Sequence, residues 1–137
     1  MGSRDIDLVA RFYDEVLNQQ QLDVMEQLFD PDFVEHATPA VMGLEGFRSF
    51  IRGLAEGLPD VHLTVADWIA EGDRVVARCS VTGTHNGEFL GFPPTGKPIS
   101  WTSIHIWRVA NGRLVERWSE ADVLGLVEQM KGTESNA

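Results

Sequence analysis

The hydrophobic pattern of this chain changes period once, at Pro59-Asp60, and that switch dictates the class of fold. Before it, apolar residues recur at helical spacing. Ile6, Val9, Ala10, Tyr13, Val16 and Leu17 share one face, so a helix is predicted over 6–17, capped by Ser3 or Asp5 and ended by Asn18-Gln19-Gln20-Gln21. Asp23 caps a short helix over 24–29, closed by Asp30-Pro31-Asp32, and 33–36 is a brief extended piece. Gly43 precedes a third helix from Leu44 to Leu54 or beyond, with Leu44, Phe47, Phe50, Ile51 and Leu54 on one side. After the switch the residues alternate. Strands are predicted over 61–68, 75–82, 99–109 and 113–119. Residues 71–74 form one turn, and Asn111-Gly112 forms another because that pair adopts positive φ without steric cost. A helix over 121–130 follows, and 131–137 reads as a frayed tail. Helices followed by an antiparallel meander define an α+β domain, three N-terminal helices packed on one face of a curved sheet of about four strands. With 137 residues and no linker, the chain is expected to be one domain, 1–137.

Charge and cysteine content remove several function classes. The formal charge of −10 is spread along the sequence, against nucleic acid or an anionic membrane as partner. The single Cys79 excludes an intrachain disulfide and a cysteine-rich zinc site. Met1-Gly2-Ser3-Arg4-Asp5 carries no apolar core of a signal peptide, and no apolar run reaches the ~18 residues of a membrane helix. A cytoplasmic protein is expected. The histidines, at 36, 62, 85 and 105, do not pair at helical spacing, so no metal site is expected. Cys79 lies mid-strand without a local base and reads as a buried, inert thiol.

Acid/base groups on the last two strands remain. On 99–109, Ile104 and Ile106 point away from Trp101, Ser103, His105 and Trp107. A histidine in this place is either a core residue bonded to a neighbour's carbonyl or a proton donor or acceptor facing a ligand. Arg117 and Ser119 share a face of the adjacent strand. An arginine there is either solvated or turned inward to an anionic or phenolic oxygen. The strands are apolar or aromatic on both faces, which predicts a dimer through the sheets.

Residues 83–97, Gly-Thr-His-Asn-Gly-Glu-Phe-Leu-Gly-Phe-Pro-Pro-Thr-Gly-Lys, match a GxHxGxxxGxxPTG pattern. With Ile104-His105, Asn111-Gly112-Arg113, Trp118 to Gly125, the opening Arg11-Phe12-Tyr13 to Asn18 helix and Phe33-Val34-Glu35-His36, the sequence resembles the SnoaL-like polyketide cyclases. The resemblance covers nearly the whole chain. It implies the NTF2-like α+β barrel, a cone around an apolar cavity, and an intramolecular aldol condensation that closes the last ring of an aromatic polyketide ester. No metal or cofactor takes part in that reaction. In the family an aspartate on the final strand is the general acid/base, assisted by a histidine fourteen residues earlier. His105 matches the histidine; fourteen residues on stands Ser119. Asp122, at the start of the last helix, is not the family's base.

A serine hydroxyl ionises far above neutral pH and cannot remove a proton α to a carbonyl without an activating partner. The resemblance extends to relatives of this fold that hydroxylate anthracycline-type rings without a bound flavin or metal. The preferred expectation is therefore a polyketide-tailoring enzyme that hydroxylates a ring, with dioxygen as co-substrate, no bound cofactor and, if needed, a separate reductase. His105 would be the acid/base, with Arg117 and Ser119 anchoring substrate oxygens. Tyr13, His36, Phe50, Trp68, Phe89, Trp101, Ser103, Trp107 and Asp122 are the expected substrate contacts. The alternatives are a cyclase whose carboxylate comes from Asp122, Glu35 or Glu120, the last pointing away on a regular strand, and a non-catalytic binding module that keeps the pocket.

Overall fold

The structure, a computed structural model, describes residues 2–36 and 41–131. Helix α1 (Gly2–Arg11) runs directly into a π-helical stretch, Phe12–Asn18, so the opening helix starts earlier than its apolar pattern indicates and changes winding at its C-terminal end. The second helix is shorter than expected: a 3₁₀ turn at Leu22–Val24, then α2 (Met25–Leu28). Asp30-Pro31-Asp32, expected to close that helix, lies inside strand β1 (Phe29–His36). Pro31 is accommodated because β1 has no ladder partner between Phe29 and Val34, where its pairing slips register, and the Asp32 amide donates to Asp30 Oδ2 instead. A two-residue strand β2 (Val41–Met42) and helix α3 (Leu44–Gly57) follow, the latter starting after Gly43 as its spacing predicts.

The meander is longer than its sequence signal: β3 (His62–Glu71), β4 (Arg74–Thr84), β5 (Pro98–Ala110) and β6 (Arg113–Ala121), then α4 (Val123–Lys131). Asn111 and Gly112 take φ of +54° and +72° at the β5–β6 turn. The expected four-stranded antiparallel sheet is in fact six-stranded and mixed, in the order β2-β1-β6-β5-β4-β3, with β1 running parallel to β6. It does not close, since β2 and β3 remain its edges. Strand β1 shows in the sequence only as a brief extended piece because four of its residues, 30–33, lack regular pairing. The expected tail, except Lys131, lies outside the described residues.

The inner face packs on the helices around Phe12, Phe29, Phe33, Phe47 and Trp107, each at most 1% exposed. Their rings meet edge-on or tilted, Phe29 to Phe33 at 4.8 Å and Phe12 to Trp107 at 5.2 Å. Each buried ring contributes roughly 2–3 kcal/mol of transfer free energy, so this cluster fixes one end of the fold. Asn18 pins the helical layer to the edge strand: its amide nitrogen donates to the Leu63 carbonyl and its oxygen accepts from the Leu63 N–H. Among the described residues no helix is long and apolar enough to cross a membrane.

Candidate active site

Sheet register arranges the inward side chains in rows, because paired residues on neighbouring strands point to one face. One row reads Trp68, Ala77, His105, Ser119. The next, toward the aromatic core, reads Ala70, Val75, Trp107, Arg117 and, across the parallel pairing, Glu35. On the other side the row is Val65, Cys79, Ser103, Ala121. Ser119 is thus the direct cross-strand partner of His105, and it is half-buried. A carboxylate at that position would lie beside the imidazole; this chain has none there.

His105 is 5% exposed and both its nitrogens are engaged. Nδ1 lies 2.7 Å from Tyr13 Oη and Nε2 lies 3.1 Å from Ser103 Oγ. The Tyr13 oxygen also accepts a hydrogen bond from Trp107 Nε1 at 2.9 Å. Cys79 Sγ is 3.9 Å from Nδ1, and burial pushes its thiol up, consistent with an inert thiol. Burial, reinforced by the positive Arg117, holds His105 well below the usual histidine range, so the ring is neutral at neutral pH. Burial likewise pushes the Tyr13 phenol well above its ordinary value. The histidine expected as acid/base is therefore bonded on both sides by side chains of the protein.

Arg117 is turned inward as well, and is engaged by a carboxylate of the protein. Its Nη1 donates to Glu35 Oε2 at 2.8 Å, and its guanidinium lies over the Phe47 and Trp107 rings at 5.0 and 5.2 Å. Glu35 is 1% exposed, and burial pushes its carboxyl up in spite of Arg117. Glu35 Oε1 and Arg117 Nε are buried without a partner among the described residues. Parity could have placed Glu35 inward, since it alternates with the inward Phe33; Asn18 gave no comparable signal.

The other expected contacts divide. Trp68 is half-buried, 5.9 Å from the Tyr13 ring, and Phe89 stacks on Trp101 at 5.9 Å, so Tyr13, Trp68, Phe89, Trp101, Ser103 and Trp107 all belong to the inner face or its rim. Three do not. His36 lies on the outer face, stacked on Trp118 at 4.9 Å, with Nε2 2.6 Å from Glu116, because β1 parity sends Glu35 inward. Phe50 is 41% exposed on α3. Asp122 is exposed and caps α4, its Oδ1 accepting from the Gly125 N–H. Glu120 is exposed on the outer side. The PTG loop is built as a clasp: His85 exchanges backbone hydrogen bonds with Gly96 and Lys97, its Nδ1 lies 3.1 Å from Thr95 Oγ1, and the Asn86 and Gly87 amides donate to the Gly57 carbonyl at the end of α3. Among the described residues no three His, Cys, Asp or Glu side chains are placed to hold a metal ion together.

A helical layer on an open, curved mixed sheet, with a buried histidine at its inner face, defines a small α+β enzyme scaffold. The chain belongs to the SnoaL-like polyketide cyclase family, whose sequence profile matches residues 7–130. Among curated proteins it is 29% identical to aklanonic acid methyl ester cyclase DnrD of Streptomyces peucetius, over 93% of this chain and 91% of that protein. Among solved structures it is similar to AclR of Streptomyces galilaeus, a proposed hydroxylase, with a TM-score of 0.89 and 27% identity over 98% of this chain and 85% of that one. It is also similar to IdmH of Streptomyces antibioticus, a proposed polyketide cyclase, with a TM-score of 0.81 and 33% identity over 93% of this chain and 99% of that one.

Proposed function

We propose that this chain is an aromatic polyketide-tailoring enzyme of anthracycline-type antibiotic biosynthesis, and that its reaction is ring hydroxylation without a bound cofactor. The observation that carries this reading is the row Trp68, Ala77, His105, Ser119: the imidazole is present and the carboxylate that aldol closure needs beside it is not. The similarity to AclR points the same way. A polyphenol deprotonated in a dry site passes an electron to dioxygen, and the protein supplies orientation, desolvation and the acid/base group His105. One oxygen atom enters the ring. The other leaves as water, which takes two electrons and two protons, so a separate reductase is the expected electron source. Ser119 anchors a substrate oxygen at the rim, while Arg117, tied to Glu35, shapes the floor.

The test is incubation with an anthraquinone-type substrate, with and without dioxygen and a reductase. Product gaining one oxygen atom only when the protein is present supports hydroxylation; binding without turnover sinks it in favour of a binding module. Ser119→Asp is expected to introduce ring closure of an aklanonic acid methyl ester, because it restores a carboxylate directly opposite His105.

A second reading is favoured by one observation: Glu35 is a buried carboxylate, shifted toward its neutral form, with a free oxygen one row from His105. In that reading the chain is a cyclase with Glu35 as base. Ring closure by the unmodified protein, abolished in Glu35→Gln, would replace the hydroxylase reading.

The active assembly is a homodimer through the outer sheet face. The row Ile69, Val76, Ile106, Trp118 crosses that face, and Ile69 and Ile104 are 61% and 48% exposed. A two-fold axis along β5 would bring Ile104 and Ile106 against their own copies. It would also place Glu120 over the partner's Arg78 and Glu116 over the partner's Arg74, since β4 and β6 flank β5 at those levels.

A further inference from the structure

The interior polar groups form a single file whose direction can be worked out from what each can donate. Trp107 Nε1 has only a proton to offer, so Tyr13 Oη accepts from it. The Tyr13 hydroxyl proton then has two candidate acceptors, His105 Nδ1 at 2.7 Å and the neighbouring Cys79 sulfur. A ring nitrogen is a strong acceptor and a thiol sulfur a weak one. The thiol proton goes elsewhere, Sγ donating to the Ala77 carbonyl at 3.7 Å, so it leaves Nδ1 to the Tyr13 hydroxyl. With Nδ1 accepting, a neutral imidazole carries its proton on Nε2, which donates to Ser103 Oγ. The Ser103 hydroxyl proton ends the file.

We infer that Tyr13, itself held by Trp107, is a positioning residue that locks His105 in its Nε2–H form, so that the file ends on the Ser103 hydroxyl proton and Ser103 meets a ligand as a hydrogen-bond donor. The group this selects is an acceptor oxygen, a quinone carbonyl or a phenolate, in preference to a phenol O–H. The inference rests on the polyketide-tailoring reading and fixes which way the file points: in the resting protein the imidazole proton goes to Ser103, and the Ser103 hydroxyl faces the ligand side as a hydrogen-bond donor.

Two measurements test it. The first needs no ligand. In protein labelled with ¹⁵N-histidine at pH 7, the His105 Nε2 signal should be that of a protonated ring nitrogen and Nδ1 that of a bare one. Cys79→Ala should leave both in place. Tyr13→Phe, which keeps the ring and removes the hydroxyl, should draw the two signals together as the tautomers mix. A proton on Nδ1, or on both nitrogens, in the unmodified protein overturns the lock whether or not Tyr13→Phe folds. The second compares 2-hydroxyanthraquinone with 2-hydroxyanthracene, which lacks the carbonyl acceptors. The unmodified protein should bind the quinone about tenfold more tightly, the size of one hydrogen bond, and Ser103→Ala should abolish the preference. Equal affinities, or a preference that survives Ser103→Ala, overturn the donor role. Binding of neither probe sinks the polyketide reading and the donor role together, while the spectrum decides the lock separately.

Discussion

At the scale of single residues, the site depends on groups kept neutral or paired where water cannot reach them. Glu35 and Arg117 each need the other, since an unpartnered charge at such depth costs several kcal/mol. His105 is kept neutral, and that has a measurable sign. Its folded-state pKa is depressed below the unfolded value near 6.5, so it adds stability above about pH 6.5 that is lost as pH falls. Glu35, shifted up, works in the opposite sense: the stability it adds is present below its ordinary value and lost as pH rises through the raised one. The difference in urea unfolding free energy between the unmodified protein and His105→Gln isolates the histidine. It should be flat above pH 7 and fall with a slope of up to about 1.4 kcal/mol per pH unit below pH 6.5; a flat difference down to pH 5 would contradict the neutral assignment. Strand parity made the inward set on β5 legible, since alternation alone separates Ser103, His105 and Trp107 from Ile104 and Ile106. It could not show the partners of His105, because Tyr13 lies 92 positions away and one helical spacing does not reveal which strand it meets.

At the scale of elements, the free side of edge strand β3 and the stretch of β5 that runs past the end of β6 are closed by the same device. Asn18 brackets Leu63 on β3, and Gln129 brackets Ser100 on β5, its nitrogen donating to the carbonyl at 2.7 Å and its oxygen accepting from the N–H at 2.9 Å. Each amide imitates one residue of a neighbouring strand. Asn18→Leu should therefore cost about 1–3 kcal/mol, the penalty for two part-buried backbone groups left unpaired, and thermal unfolding should show it while Gln19→Leu, at an exposed neighbour, changes little. Neither amide stands out in sequence, where Asn18 reads only as the end of a helix. Helix α3, both turns and the PTG loop were legible because their signals are local, Gly and Asn at positive φ or a face of apolar residues. Strand β1 was only partly so, because its pairing with β6 is a long-range match that Pro31 hides.

At the scale of the whole molecule, the proposed dimer rests on the outer sheet face. Ile104→Lys should convert the dimer to monomer in sedimentation velocity. Glu120→Arg should weaken it and the added exchange Arg78→Glu should restore it, since the two-fold axis opposes those positions; a monomeric unmodified protein would remove the proposal. The inner face has a consequence of a different kind. The meander from β3 to β6 is joined by neighbouring turns, whereas the site is closed by two long reaches, Glu35 to Arg117 across 82 positions and Tyr13 to His105 across 92. Contacts between distant segments pay the larger loop entropy and form late. The meander alone is therefore expected to assemble before β1 and the opening helix reach it, so the site is completed only when the N-terminal half docks.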